Sequence, residues 1–153
     1  MNLSDLFNEG TVQLIISVSI FLLFSYIVYY TVSVYLLLKK AKYRNTWAAF
    51  VPIYQQWAVN EIAGKPGWWT LVGLGSLISW LYPDSLLLQS LGNLISITAL
   101  ILQIIVDINL AKVFGRSLKF ALALIFFPFP MYLVLALSES KYIKPKKTKS
   151  NKK

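Results

Sequence analysis

From Val12 to Leu38 the chain carries no charged residue, and apart from Gln13 every position is apolar, aromatic or a small hydroxyl. At about 1.5 Å per residue, this run is longer than a ~30 Å hydrocarbon core requires, so it can cross a bilayer with tilt or emerge from it. It stops abruptly at "KKAKYR". Charged residues make up only 14% of the 153 residues, against 57% hydrophobic ones, and the mean hydropathy is +0.61. Soluble domains carry roughly 25% charge. Long uncharged runs separated by basic loops specify an integral membrane protein.

Three further apolar runs follow. Residues 68–82 are short for a span but are bracketed by Trp68 and Trp69 at one end and Trp80 and Tyr82 at the other, as interfacial belts are. Gly73, Gly75, Ser76 and Ser79 in this run permit close helix packing. "PDS" at 83–85 reads as a turn, with Asp84 or Ser85 capping the next helix. Residues 86–110 form the third run, and residues 120–137, "FALALIFFPFPMYLVLAL", the fourth. Pro128 and Pro130 disfavour helix at residues 127 and 129. The expected fold class is therefore all-α, a polytopic membrane protein with spans at 12–38, 68–82 and 86–110. An interfacial helix and a proline-broken fourth segment, re-entrant or spanning, complete it. Residues 1–142 form one membrane domain, and 143–153 a basic disordered tail. The acidic start "MNLSDLFNEG" and the lack of a small-residue cleavage site make the first span an expected anchor.

The cations set the orientation. Lys39, Lys40, Lys42, Arg44 and Lys65 follow the first span, Lys112, Arg116 and Lys119 follow the third, and seven lysines crowd the tail. Positive residues mark cytoplasmic loops, so the N-terminus is expected outside and the chain in an inner membrane. A re-entrant fourth segment keeps the C-terminal tail in the cytoplasm, with every cation obeying the rule.

Segment 47–69, "WAAFVPIYQQWAVNEIAGKPGWW", is too polar to span and too aromatic for a solvated loop. Trp47, Phe50, Val51, Tyr54, Trp57, Ala58 and Ile62 recur at helical spacing. Pro52 suits a first turn and Gly64 a C-cap, giving a helix over 52–63 that lies in the interface plane. Trp47, Tyr54, Gln55, Gln56, Trp57, Glu61, Trp68 and Trp69 are its candidate contact residues.

In the third span Gln89, Asn93, Ser96, Gln103 and Asp107 keep to one helix face. Such a polar stripe faces other helices or water rather than lipid. Lys112 or Arg116 could neutralise Asp107, and Asp107 and Glu61 could share a cation. Lys141, Lys144, Lys146 and Lys147 suit anionic headgroups, an acidic partner or, as the one nucleic-acid contact, ribosomal RNA. Without cysteine or histidine there is no thiol or imidazole chemistry, and neither a catalytic set, a metal site nor a cofactor is expected.

"FVPIYQQWAVNEIAGKPGWW", "AKVFGRS" and "LIFFPFPMYLVLALSESKY" together resemble an uncharacterised bacterial family of small multi-pass membrane proteins. The resemblance covers roughly residues 43 to 142. It departs at Gln55, where asparagine is expected, at Arg116, where lysine is usual, and in a longer stretch between Trp69 and Phe114. Some members are labelled signal peptidase I-like. That chemistry needs a serine, a lysine base and an extracytoplasmic β domain, and this sequence offers neither an outside lysine nor such a domain. The resemblance implies a membrane fold and no known activity. The expected function is a non-enzymatic accessory or scaffold subunit acting through helix packing with itself or a membrane partner. The alternatives are a small oligomeric channel or transporter lined by the stripe and, third, an enzyme on a lipid-linked substrate.

Overall fold

The computed structural model describes residues 9–145, and these contain helices and no strand. Helix α1 spans Glu9–Lys40, 32 residues or about 48 Å. A 3-10 turn, Thr46–Phe50, follows, then α2, Pro52–Ile62. Next come α3, Trp69–Gly75, and α4, Leu77–Leu81. Helix α5 is Leu86–Val113, 28 residues or about 42 Å. Helices α6, Leu118–Phe126, and α7, Pro128–Leu137, complete the fold. Among the described residues, α1 and α5 are the two helices long and apolar enough to cross a membrane.

The expected second span is not one helix. Helices α3 and α4 have seven and five residues, and together rise about 20 Å. The chain tightens between them, where the Ser76 N–H and hydroxyl both bond the Gly73 carbonyl, at 3.2 and 2.7 Å. The Ser79 hydroxyl bonds back to the Ser76 carbonyl at 2.9 Å. Short hydroxyl side chains compete for helix carbonyls, and Gly73 and Gly75 lower helix propensity just before the tightening. The α3–α4 pair packs along the first half of α5. There Gly92 meets Ser79 so closely that a Cβ at 92 would lie 2.5 Å from the Ser79 backbone nitrogen. Ser85 caps α5, its hydroxyl accepting from the Leu88 N–H at 3.4 Å.

Three helices end in the same way. Past α2, Gly64 takes φ +76°, with Lys65 N–H on the Asn60 carbonyl and Gly64 N–H on the Glu61 carbonyl. Past α5, Gly115 takes φ +65°, with Arg116 N–H on Ala111 and Gly115 N–H on Lys112. Past α1 the left-handed position is Lys42, at φ 51°. This paired pattern is the Schellman motif, and it reverses the chain while satisfying the last carbonyls.

Helices α6 and α7 pair as a hairpin, with α6 against α5 and α7 against α1. The helix breaks at Phe127 alone. Pro130, expected to break it a second time, falls in the first turn of α7, where its missing N–H has no helical partner to lose. The hairpin returns to its starting point. The Ile143 N–H donates to the Val113 carbonyl at 2.7 Å, and Lys40 caps the end of α7. The Lys40 ammonium donates to the carbonyls of Leu135 (2.7 Å) and Ser138 and to the hydroxyls of Ser138 and Ser140. A cation there complements the negative end of the helix dipole.

The ends of α1, α5 and α7 thus share one level, and the core sits there. It joins Val34, Leu37 and Leu38 of α1 to Val106, Leu110 and Phe114 of the α5 end, with Ala58, Val59 and Ile62 of α2. Leu124, Tyr132 and Leu135 fill it from the hairpin. Away from this level the described residues of α1 are exposed as far as 29, and its first buried residue is Ser33.

Candidate functional site

Beside the core, a chain of hydrogen-bonded polar side chains links four helices. In α2, the Asn60 amide donates to the Thr70 hydroxyl of α3 at 3.1 Å. The Gln56 amide donates to Asn60 Oδ1 at 3.3 Å and to Gln103 Oε1 of α5 at 2.8 Å. The Gln103 amide in turn donates to Asp107 Oδ1 at 3.1 Å, and the Tyr132 hydroxyl of α7 reaches the same oxygen at 3.2 Å. Asn60, Asp107 and Tyr132 are buried. Tyr30 of α1 sets its ring edge-on to Tyr132 at 5.8 Å. A cavity of about 310 Å³ lies alongside, lined in part by Gln56, Asn60, Thr70, Ser96 and Gln103.

Local sequence explains half of this arrangement. Gln56 and Asn60, like Gln103 and Asp107, are four apart and share a helix face. Gly67 lets the chain turn between α2 and α3, because the Trp57 indole occupies the space a side chain there would need. Asn60, Thr70 and Tyr132 are not among the site residues that the sequence singles out. Spacing signals Asn60. Nothing local signals Tyr132, which arrives through the hairpin.

The polar stripe of α5 divides. Gln103 and Asp107 enter the hydrogen-bonded chain. Gln89 and Asn93 are exposed, and Ser96 bonds back to the Gly92 carbonyl. Asp107 finds its hydrogen-bond partners in Gln103 and Tyr132, not in Lys112 or Arg116. Glu61 joins a different group: Tyr43 donates to Oε2 at 2.6 Å and the Trp57 indole to Oε1 at 3.0 Å. Burial first, and then the bond to Glu61, pushes the Tyr43 phenol up to about 12. The two carboxylates therefore serve separate networks rather than one shared site.

The aromatic face of segment 47–69 also divides. Trp47, Phe50, Val51 and Tyr54 are exposed, with the Trp47 and Tyr54 rings 5.6 Å apart, whereas Ala58 and Ile62 turn into the core. Gln55 is buried, with its amide nitrogen unpartnered. Trp68 is exposed, and Trp69 packs partly on the core with Lys65 over its ring at 5.7 Å.

The cations that sequence divides into loop and tail groups converge. Lys40, Lys42, Arg44 and Lys65 meet Lys141 and Lys144 around a cleft of about 1500 Å³. Tyr142 anchors the returning chain, its hydroxyl on the Ile62 carbonyl at 3.0 Å and its ring 5.2 Å from that of Phe114. Burial raises its pKa. Of the expected tail, residues 143–145 are described, and Lys146, Lys147 and the residues after them lie outside the described ones.

With this geometry in view, comparison with known proteins is informative at one level. A family model matches residues 47–145. The chain belongs to the family of unknown function DUF5684. The DUF5684 region takes in α2 to α7, the polar chain and the Lys65, Lys141 and Lys144 side of the cleft, and leaves outside α1 and the Lys40, Lys42 and Arg44 side. It nearly coincides with the stretch on which the sequence resemblance rests, and the family description names no activity. No curated protein and no solved structure matches the chain.

Proposed function

We propose that this DUF5684 protein is an integral inner-membrane protein of accessory or scaffold type, working through helix packing with itself or a membrane partner. The supporting observation is the exposed length of helix α1. Among the described residues, 9–29 are all exposed, and the helix presents large apolar side chains from Leu14 to Val32. The exposed Gln89 and Asn93, on the side of α5 that the α3–α4 pair leaves uncovered, add amide groups that interhelical contacts can use. The lower half of the stripe spends its hydrogen bonds inside the chain, which supports packing over conduction.

The orientation follows the charges: N-terminus outside, and the level that carries Lys40, Lys112 and Lys141 in the cytoplasm. Helices α6 and α7 have nine and ten residues, about 14 and 15 Å, so each reaches half-way through a ~30 Å core. A re-entrant hairpin is then the natural reading, shielded by α1 and α5 as buried non-helical backbone requires. The α3–α4 pair, about 20 Å long, accompanies α5 to the far interface with its tryptophans at the two boundaries.

The test is assembly. Native mass spectrometry of the full chain in mild detergent should find it in a complex of fixed stoichiometry, and Gln89→Leu with Asn93→Leu should lower the recovered complex. A strictly monomeric, partnerless chain would sink the reading.

A further inference from the structure

We infer that the basic cleft is a binding site for the phosphate of an anionic lipid headgroup. This rests on the membrane reading and goes beyond it. Among the described residues, six cations line the cleft and only one carboxylate, Glu61. Both Glu61 oxygens are already occupied by Tyr43 and Trp57, which hold that carboxylate on the wall. Lys40 is spent on the end of α7. Among the described residues, Lys42, Arg44, Lys65, Lys141 and Lys144 have no ion pair, and Lys65 lies over the Trp69 ring at 5.7 Å.

Five cations facing one space repel one another, and the fold nonetheless draws them together. Three structural devices do this. The left-handed turn at Lys42 brings Lys42 and Arg44 round, the turn at Gly64 brings Lys65, and Tyr142 with Pro145 docks the tail against α2. An anion with several acceptor oxygens resolves the repulsion. The cleft also has an apolar side, formed by Ile62, Trp69 and Pro66. It opens at the level where the apolar run of α1 ends in Lys39 and Lys40, the level of headgroups. A phosphate joined to an apolar tail matches both walls, whereas a free phosphate matches only one.

The experiment uses the full chain purified with lipid and analysed by native mass spectrometry. Wild type should retain phosphatidylglycerol over phosphatidylcholine. Removal of Lys42, Arg44 and Lys65 together (K42Q, R44Q, K65Q) should weaken retention by about fivefold per cation, the size expected of a basic residue near an anionic surface. As a control, K112Q with K119Q removes two charges outside the cleft, against three within it, and should change retention little per charge removed. Glu61→Gln should strengthen retention, a gain that misfolding cannot mimic. Equal loss in cleft and control variants, or equal retention of the two lipids, would overturn the site. Displacement of the lipid by millimolar inorganic phosphate would overturn the headgroup assignment in favour of a soluble phosphate. Resistance to alkaline carbonate extraction reads membrane integration alone, so failure of the cleft and failure of the membrane reading give different results.

Discussion

Two glycines on the α3–α4–α5 hairpin make a controlled test of its packing. Alanine at Gly92 places a Cβ 2.5 Å from both the Ser79 nitrogen and Cβ, and 2.9 Å from its Cα. Carbon contacts are comfortable at about 3.5–4.0 Å, so α4 must retreat by roughly 1 Å. Backbone atoms dominate the obstruction, and no rotamer change relieves it. Overpacking of this kind costs about 1–3 kcal/mol. At Gly73 an added Cβ meets nothing within 4 Å. Both positions are helical, so each substitution gains about 1 kcal/mol of helix propensity. Gly73→Ala should therefore be neutral or stabilising, and Gly92→Ala less stable than it by about 1–3 kcal/mol. Thermal unfolding in detergent, followed by far-ultraviolet circular dichroism and by tryptophan fluorescence, makes the comparison. Trp80 lies on the displaced helix and should report the change. Equal midpoints for the two variants would refute the close approach of α4 to α5.

The Gln56–Gln103 bond predicts a coupling of about 0.6–1.7 kcal/mol in a double-mutant cycle with Gln56→Leu and Gln103→Leu, the range of interhelical hydrogen bonds in membranes; a coupling of zero would separate α2 from α5. At the left-handed position 42, Lys42→Gly and Lys42→Ala remove the same charge but differ in strain. The glycine variant should be more stable by about 1 kcal/mol, since relief of left-handed strain outweighs its extra unfolded-state entropy.

Much of the helical plan was legible. The uncharged run announced α1, Pro52 and Gly64 bracketed α2, and "PDS" located the turn before α5. These features act locally, through propensity and capping, so a linear reading finds them. The 3-10 turn at Thr46–Phe50 and the break at Ser76 were missed because both depend on hydrogen bonds that only the folded chain selects. The site was half legible. Gln56, Gln103 and Asp107 stood out as polar groups on regular faces. Their bonding to one another did not, because that requires α2 to lie beside α5. Tyr132 and the capping by Lys40 join residues 25 and 95 positions from their partners.

Sequence by itself marked out an all-helical chain with cations segregated from its apolar runs and a capped helix at 52–63; of its three expected spans, 12–38 and 86–110 form the two helices of membrane length among the described residues, and 68–82 falls short of that length. Periodicity, charge and capping are properties of neighbours along the chain. The tertiary structure decided that the proline-broken segment folds back as a hairpin, that the α5 stripe divides into a bonded half and a free half, and that loop and tail cations surround one cleft. Each of those outcomes depends on which helix ends meet. That choice is made by packing around Leu37, Leu110 and Leu135, with Lys40 fixing the last helix in place.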